Sequence, residues 1–72
     1  MLKIKLGKKI KLERKRRNLS QLNLALEAGL DQNTIWRIET GQVSPTLETL
    51  EKIAQAFGMD FMELADVTKV DL

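Results

Sequence analysis

The stretch Ser20–Gln42, SQLNLALEAGLDQNTIWRIETGQ, reads as two short helices joined by a tight turn. Ser20 suits the cap of the first, because its hydroxyl can accept from the unpaired amides of an opening turn. Leu19 before it and Leu24 inside it form the apolar pair of a hydrophobic staple. The helix is expected to run to Ala28, where Gly29 tolerates the positive φ of a stop. Asp31 then caps a second helix, Leu30 and Ile35 repeat the staple, and Gly41 ends the helix after Thr40. Helices of about eight residues do not stand alone in water, so the pair must pack on each other and on further elements.

The apolar spacing says how they pack. Leu24 and Ala25 point inward from the first helix, Ile35 and Ile38 from the second, and the small Ala25 allows a close crossing. Gln21, Ala25, Gly29, Ile35 and Ile38 occupy relative positions 1, 5, 9, 15 and 18. That pattern describes a helix-turn-helix unit, whose second helix enters the major groove of duplex DNA. Over about Leu6 to Leu64 the chain resembles the lambda-repressor-like family of Cro/cI-type (XRE) regulators. The resemblance runs through LGKKI, LSQ..LA..AGL, TI.RIE.G, SPTLETL..IA.AFG and MEL, in order. It implies an all-α fold of five helices, with helices 2 and 3 forming the helix-turn-helix.

Outside that unit, the 72 residues suit one small domain, with a core expected over about 6–65 between a short N-terminal segment and a C-terminal tail. Hydrophobic residues make up 43% but aromatics only three, which favours a helical bundle over a sheet. Cysteine and histidine are both absent, so disulfides, thiolate metal sites and the usual acid–base ligands are excluded. No cofactor is expected. An enzyme fails on the same inventory, since nothing pairs the carboxylates with a nucleophile or a metal. No apolar run approaches the roughly 18 residues of a membrane span, and no secretory signal is read. A cytoplasmic protein is the expectation, and the resemblance implies a prokaryotic or phage-encoded one.

The net charge of +2 hides an asymmetry. Residues 1–17 carry nine of the twelve cations against Glu13 alone, or +8, and the remainder carries −6. A basic cluster beside an acidic remainder fits a polyanion on one face; the competing reading is a solvated helix whose late cations favour its own dipole. On the first reading Arg16 and Arg17 are phosphate contacts.

Leu2, Ile4 and Leu6 alternate with Lys3 and Lys5, a period that reads as a short strand, a helix entry or a frayed end. From Leu6 the spacing turns helical to about Arg17, with Asn18 closing the helix. Pro45 and Thr46 open a fourth helix, Thr46 as N-cap, with Leu47, Leu50, Ile53, Ala54 and Phe57 expected in the core and Gly58 as the stop. Asp60 and Glu63 form a capping box for a fifth helix, with Met59 and Leu64 as its staple. The tail from Asp66 to Leu72 has no clear period.

The resemblance implies roles for named residues. Arg14 and Glu39 match a largely buried ion pair. Glu13 departs from the family, where a small or apolar residue is usual. Gln21 matches a phosphate grip at a helix N-terminus. Gln32, Asn33 and Arg37 fall on base-contacting or near-base positions, consistent with the bidentate chemistry of carboxamides on adenine and guanidinium on guanine. Thr40, Gln42 and Ser44 fall in a phosphate-gripping loop, and Thr34 could add a hydroxyl. Trp36, between inward Ile35 and Ile38, should point outward, against a sugar, a thymine methyl or a protein, or else lie half-buried. Leu22 and Leu26 stand where the family is usually polar; packing on a neighbour such as the N-terminal segment is expected first, an exposed partner patch second. Phe61 and Met62 lie where the family often forms its two-fold contact. The partners implied are double-stranded DNA, a second copy of the chain, and RNA polymerase or a toxin protein. An antitoxin is the alternative to a repressor.

Overall fold

A computed structural model describes residues 1–68 and 70. It contains five helices: α1 Leu2–Arg16, α2 Gln21–Ala28, α3 Gln32–Glu39, α4 Leu47–Phe57 and α5 Phe61–Ala65. No strand occurs among the described residues, and no helix there is long and apolar enough to cross a membrane.

Local chemistry explains most helix ends. Ser20 Oγ accepts from the Asn23 amide and Thr46 Oγ1 from the Thr49 amide, each at 3.0 Å, and Asp60 accepts from the Met62 amide at 3.1 Å. Asn18 takes a positive φ of 56° and closes α1, a conformation asparagine tolerates better than most residues. Gly29 sits at φ 69° and lets the chain turn directly into α3. Asp31 stands at the N-cap position of α3 but makes no side-chain capping bond.

The core is a single cluster in which Ile10, Leu24, Ile35, Ile38, Ile53 and Leu64 are fully buried. Helix α1 packs on α3 and α5, α2 on α3 and α4, and α4 on α5. Gly7 permits the α1–α3 crossing: a Cβ there would lie 2.2 Å from the carbonyl oxygen of Ile38. Any side chain would force the two helices apart.

One open choice is decided and two expectations are corrected. Residues 2–5 follow the helix-entry alternative: they form the first turn of α1, which begins earlier than Leu6, with the Lys5 amide bonded to the Met1 carbonyl at 3.1 Å. No strand is present among the described residues to pair with them, and the helical turn brings Ile4 against Gly41 in the loop after α3. Leu22 and Leu26 do not pack on a neighbour; they are 50% and 69% exposed, because α2 buries the face of Leu24, Ala25 and Ala28 instead. Leu47 is not core. It is the first residue of α4 and projects from the helix end, 76% exposed. In the tail, Val67 packs against the core, whereas Leu72 lies outside the described residues.

Candidate nucleic-acid interface

Helix α3 has one buried face and one open face. Ile35 and Ile38 are fully buried, so the 3.6-residue period turns Gln32, Asn33, Trp36, Arg37 and Thr40 to the opposite side, where all five are exposed. Trp36 is 45% exposed. It shares an open concavity of about 400 Å³ with Gln21, Asp31, Gln32 and Asn33. The N-terminus of α2 and the outer face of α3 therefore form one surface. Its stripe of amides, guanidinium and indole offers donors, acceptors and a flat apolar face to whatever lies against it.

Arg14 and Glu39 hold this surface to the rest of the domain. Arg14 Nε donates to Glu39 Oε2 at 2.7 Å and Nη2 to Oε1 at 2.9 Å, a bidentate pair between α1 and the last residue of α3. The Glu39 side chain is only 2% exposed. Arg14 Nη1 also donates to the Leu19 carbonyl at 2.8 Å, at the entry to α2. Gln21 Nε2 donates to Glu39 Oε1 at 3.1 Å, a bond between the first residue of α2 and the last of α3 that the sequence did not announce.

The loop after α3 is organised by its own polar groups. Thr40 Oγ1 donates to the Trp36 carbonyl at 2.8 Å, and Gln42 Nε2 donates to Thr40 Oγ1 at 3.2 Å. Ser44 is exposed and Thr34 half-buried.

Arg16 and Arg17 are not brought to this face. With Lys9, Glu13, Met59, Glu63 and Asp66 they line a separate concavity between α1 and α5. Arg17 donates to Glu13 Oε1 at 2.8 Å, to the Glu13 carbonyl at 2.9 Å and to the Phe57 carbonyl at 3.1 Å. Its guanidinium carbon lies 4.8 Å from the centre of the Phe57 ring. Arg17 thus has internal partners in addition to the phosphate contact expected of it. Glu13, buried and also met by Arg16 at 3.3 Å and Lys9 at 3.8 Å, is held below the usual carboxylate range, first by the Arg17 hydrogen bond and against the opposing effect of burial. The signal was legible in part, since Lys9, Arg16 and Arg17 stand at i−4, i+3 and i+4 from Glu13.

At the other end, Leu47, Glu48, Glu51 and Phe61 line a shallow groove between α4 and α5, and Met62 is exposed beyond it.

These features have counterparts in known proteins. The helix-turn-helix family HTH_3 matches residues 10–70 of the chain. The immunity repressor protein of Bacillus phage phi105 is 42% identical over 53 residues, covering 74% of this chain and 37% of that protein. Antitoxin PezA of Streptococcus pneumoniae is 32% identical over 65 residues, 90% of this chain and 41% of that protein. The chain thus spans under half the length of these two relatives. The crystal structure of the restriction-modification controller protein C.AhdI from Aeromonas hydrophila is similar with a TM-score of 0.84 at 32% identity, covering 86% of this chain and 94% of that one.

Proposed function

The chain belongs to the HTH_3 helix-turn-helix family, and from that premise we propose that it is a sequence-specific DNA-binding transcriptional regulator acting as a homodimer on a two-fold symmetric operator. The observation that carries the reading is the division of α3: Ile35 and Ile38 are fully buried while Gln32, Asn33, Trp36, Arg37 and Thr40 form a continuous exposed stripe. A helix so held can enter the major groove with its stripe against base edges. Gln32, Asn33 and Arg37 then supply the donors and acceptors of direct readout, and Trp36 packs on a sugar or a thymine methyl. Gln21, Thr34, Thr40, Gln42 and Ser44 set register on phosphates without reading sequence.

One recognition helix contacts too few base pairs to single out a genomic site. A second copy, docked through Leu47, Phe61 and Met62 at the α4–α5 end, would double the contacts. The exposed Leu22 and Leu26 support a second surface for a protein partner, RNA polymerase for an activator or a toxin for an antitoxin.

Selection from random duplex DNA tests the main reading. An enriched inverted repeat with half-site centres about 10 base pairs apart is expected. A folded protein that enriches nothing would overturn DNA reading and leave the Leu22–Leu26 surface as the functional one. On the selected operator, Arg37→Ala should cost about 1–3 kcal/mol and relax preference at one base position; undiminished discrimination would remove Arg37 from the readers.

A further inference from the structure

We infer that Glu39 is a positioning residue for DNA binding, dictating which end of the Gln21 carboxamide faces the phosphate backbone. This rests on the reading of Gln21 as a phosphate contact.

Glu39 closes the recognition helix and is almost wholly shielded from water. Its Oε2 accepts from Arg14 Nε, and its Oε1 accepts from both Arg14 Nη2 and Gln21 Nε2. An ionised carboxylate only accepts hydrogen bonds, so the group facing it must be a donor. A primary amide has a donor end and an acceptor end of nearly the same shape. Turned over, the Gln21 carboxamide would bring its carbonyl oxygen to the 3.1 Å now spanned by Nε2, against a carboxylate oxygen. Glu39 forbids that orientation.

The consequence falls on the other side of the amide. Nε2 carries two hydrogens, and Glu39 takes one. The second remains on the planar group at the N-terminus of α2, beside the concavity shared with Gln32, Asn33 and Trp36. A phosphate oxygen that approaches along this second N–H meets a donor, together with the positive end of α2. An unrestrained carboxamide would present either end, and one of them repels the phosphate. The same carboxylate is locked bidentately to Arg14, whose Nη1 also fixes the Leu19 carbonyl ahead of α2. Phosphate grip and recognition helix are therefore registered to each other through one side chain. Oε1 serves both the ion pair and Gln21, so a substitution at Glu39 alone mixes the two roles, and a second substitution at Gln21 is needed to separate them.

The test is a double-mutant cycle on the selected operator duplex, using Glu39→Gln, Gln21→Met and the double variant, at a temperature where circular dichroism shows each folded. Gln21→Met keeps side-chain size and leaves the Arg14–Glu39 pair untouched. Glu39→Gln should weaken binding about three- to tenfold when Gln21 is present, the scale of one misdirected hydrogen bond, and less than about twofold when Met occupies position 21. Equal losses in both backgrounds would overturn the proposal and leave Glu39 a purely structural partner of Arg14. If the wild-type chain enriches no duplex, the DNA reading falls and the proposal with it.

Should Glu39→Gln fail to fold, the wild-type side-chain amide decides. One Nε2 proton of Gln21 should exchange markedly more slowly than those of the exposed Gln55, and the other should shift on adding duplex. Two protons exchanging as fast as those of Gln55 would show an unrestrained amide and overturn the proposal.

Discussion

Glu13 and Arg14 are neighbours on α1, yet they look in different directions and build two different charge clusters. Arg14 reaches across 25 positions to Glu39 and ties α1 to the recognition helix. Glu13 gathers Lys9 and Arg16 from its own helix and Arg17 from the helix cap, and Arg17 goes further, to the Phe57 carbonyl and ring. The first cluster exists only when the chain is folded. The second is built largely from i, i±3 and i, i±4 neighbours, which any helical conformation of this segment brings together. A long-range pair therefore reports the tertiary structure, whereas a local one reports mostly the helix.

Breaking the long-range pair should have the largest effect. Glu39→Ala leaves the shielded Arg14 guanidinium without its carboxylate, a change that typically costs about 3–5 kcal/mol. Against the modest total stability of so small a domain, thermal melting should show a large drop in midpoint. A midpoint within a few degrees of wild type would mean that the pair does not hold α1 to α3.

Arg17→Ala comes next. It removes the contacts with Glu13 and Phe57, but the group is partly solvated, so about 1–2 kcal/mol is expected. Chemical denaturation measures that loss. If the internal contacts are its whole role, the salt dependence of operator binding should stay as in wild type; a flatter slope would place Arg17 on the DNA backbone as well.

Glu13→Gln sharpens the comparison through pH. The folded state holds the Glu13 carboxyl below its ordinary range, so it binds fewer protons than the unfolded chain in mild acid. Its contribution is present above the ordinary carboxylate range and is lost as pH falls through the lowered folded value. The stability gap between wild type and Glu13→Gln should shrink as melts are taken from neutral pH into acid. A constant gap would mean that the carboxylate charge is not the source.

The smallest effect belongs to Arg16→Ala. Its side chain is 73% exposed, and its ion pair with Glu13, at 3.3 Å, is screened. Denaturation should change by no more than about 0.5 kcal/mol. A larger loss would show that the Glu13 cluster acts as a network rather than through Arg17.

What the spacing left open or misplaced divides along the same line. Leu2, Ile4 and Leu6 alternate as a strand would and equally suit a helix entry; a strand needs a partner that is not found among the described residues, and in the helix Ile4 meets Gly41. Leu22 and Leu26 share a helix face, as their spacing requires, yet nothing in their spacing states that α1 lies elsewhere. Leu47 fits the apolar period of α4, but a residue beside the cap projects past the end of the core. Each of the three turns on what stands opposite a side chain.

What the sequence determined by itself is therefore local. Ser20, Gly29, Thr46 and Gly58 set helix ends because capping and left-handed turns are satisfied within a few residues. The 3.6-residue period alone separates the buried Ile35 and Ile38 from the exposed stripe of α3. Only the tertiary structure decided that Arg17 turns inward to Phe57 while Arg16 stays in solvent, and that Gln21 meets the carboxylate already holding Arg14. Those choices depend on how α1 crosses α3 and α5, a geometry set jointly by Gly7, the core and every side chain packed between the helices.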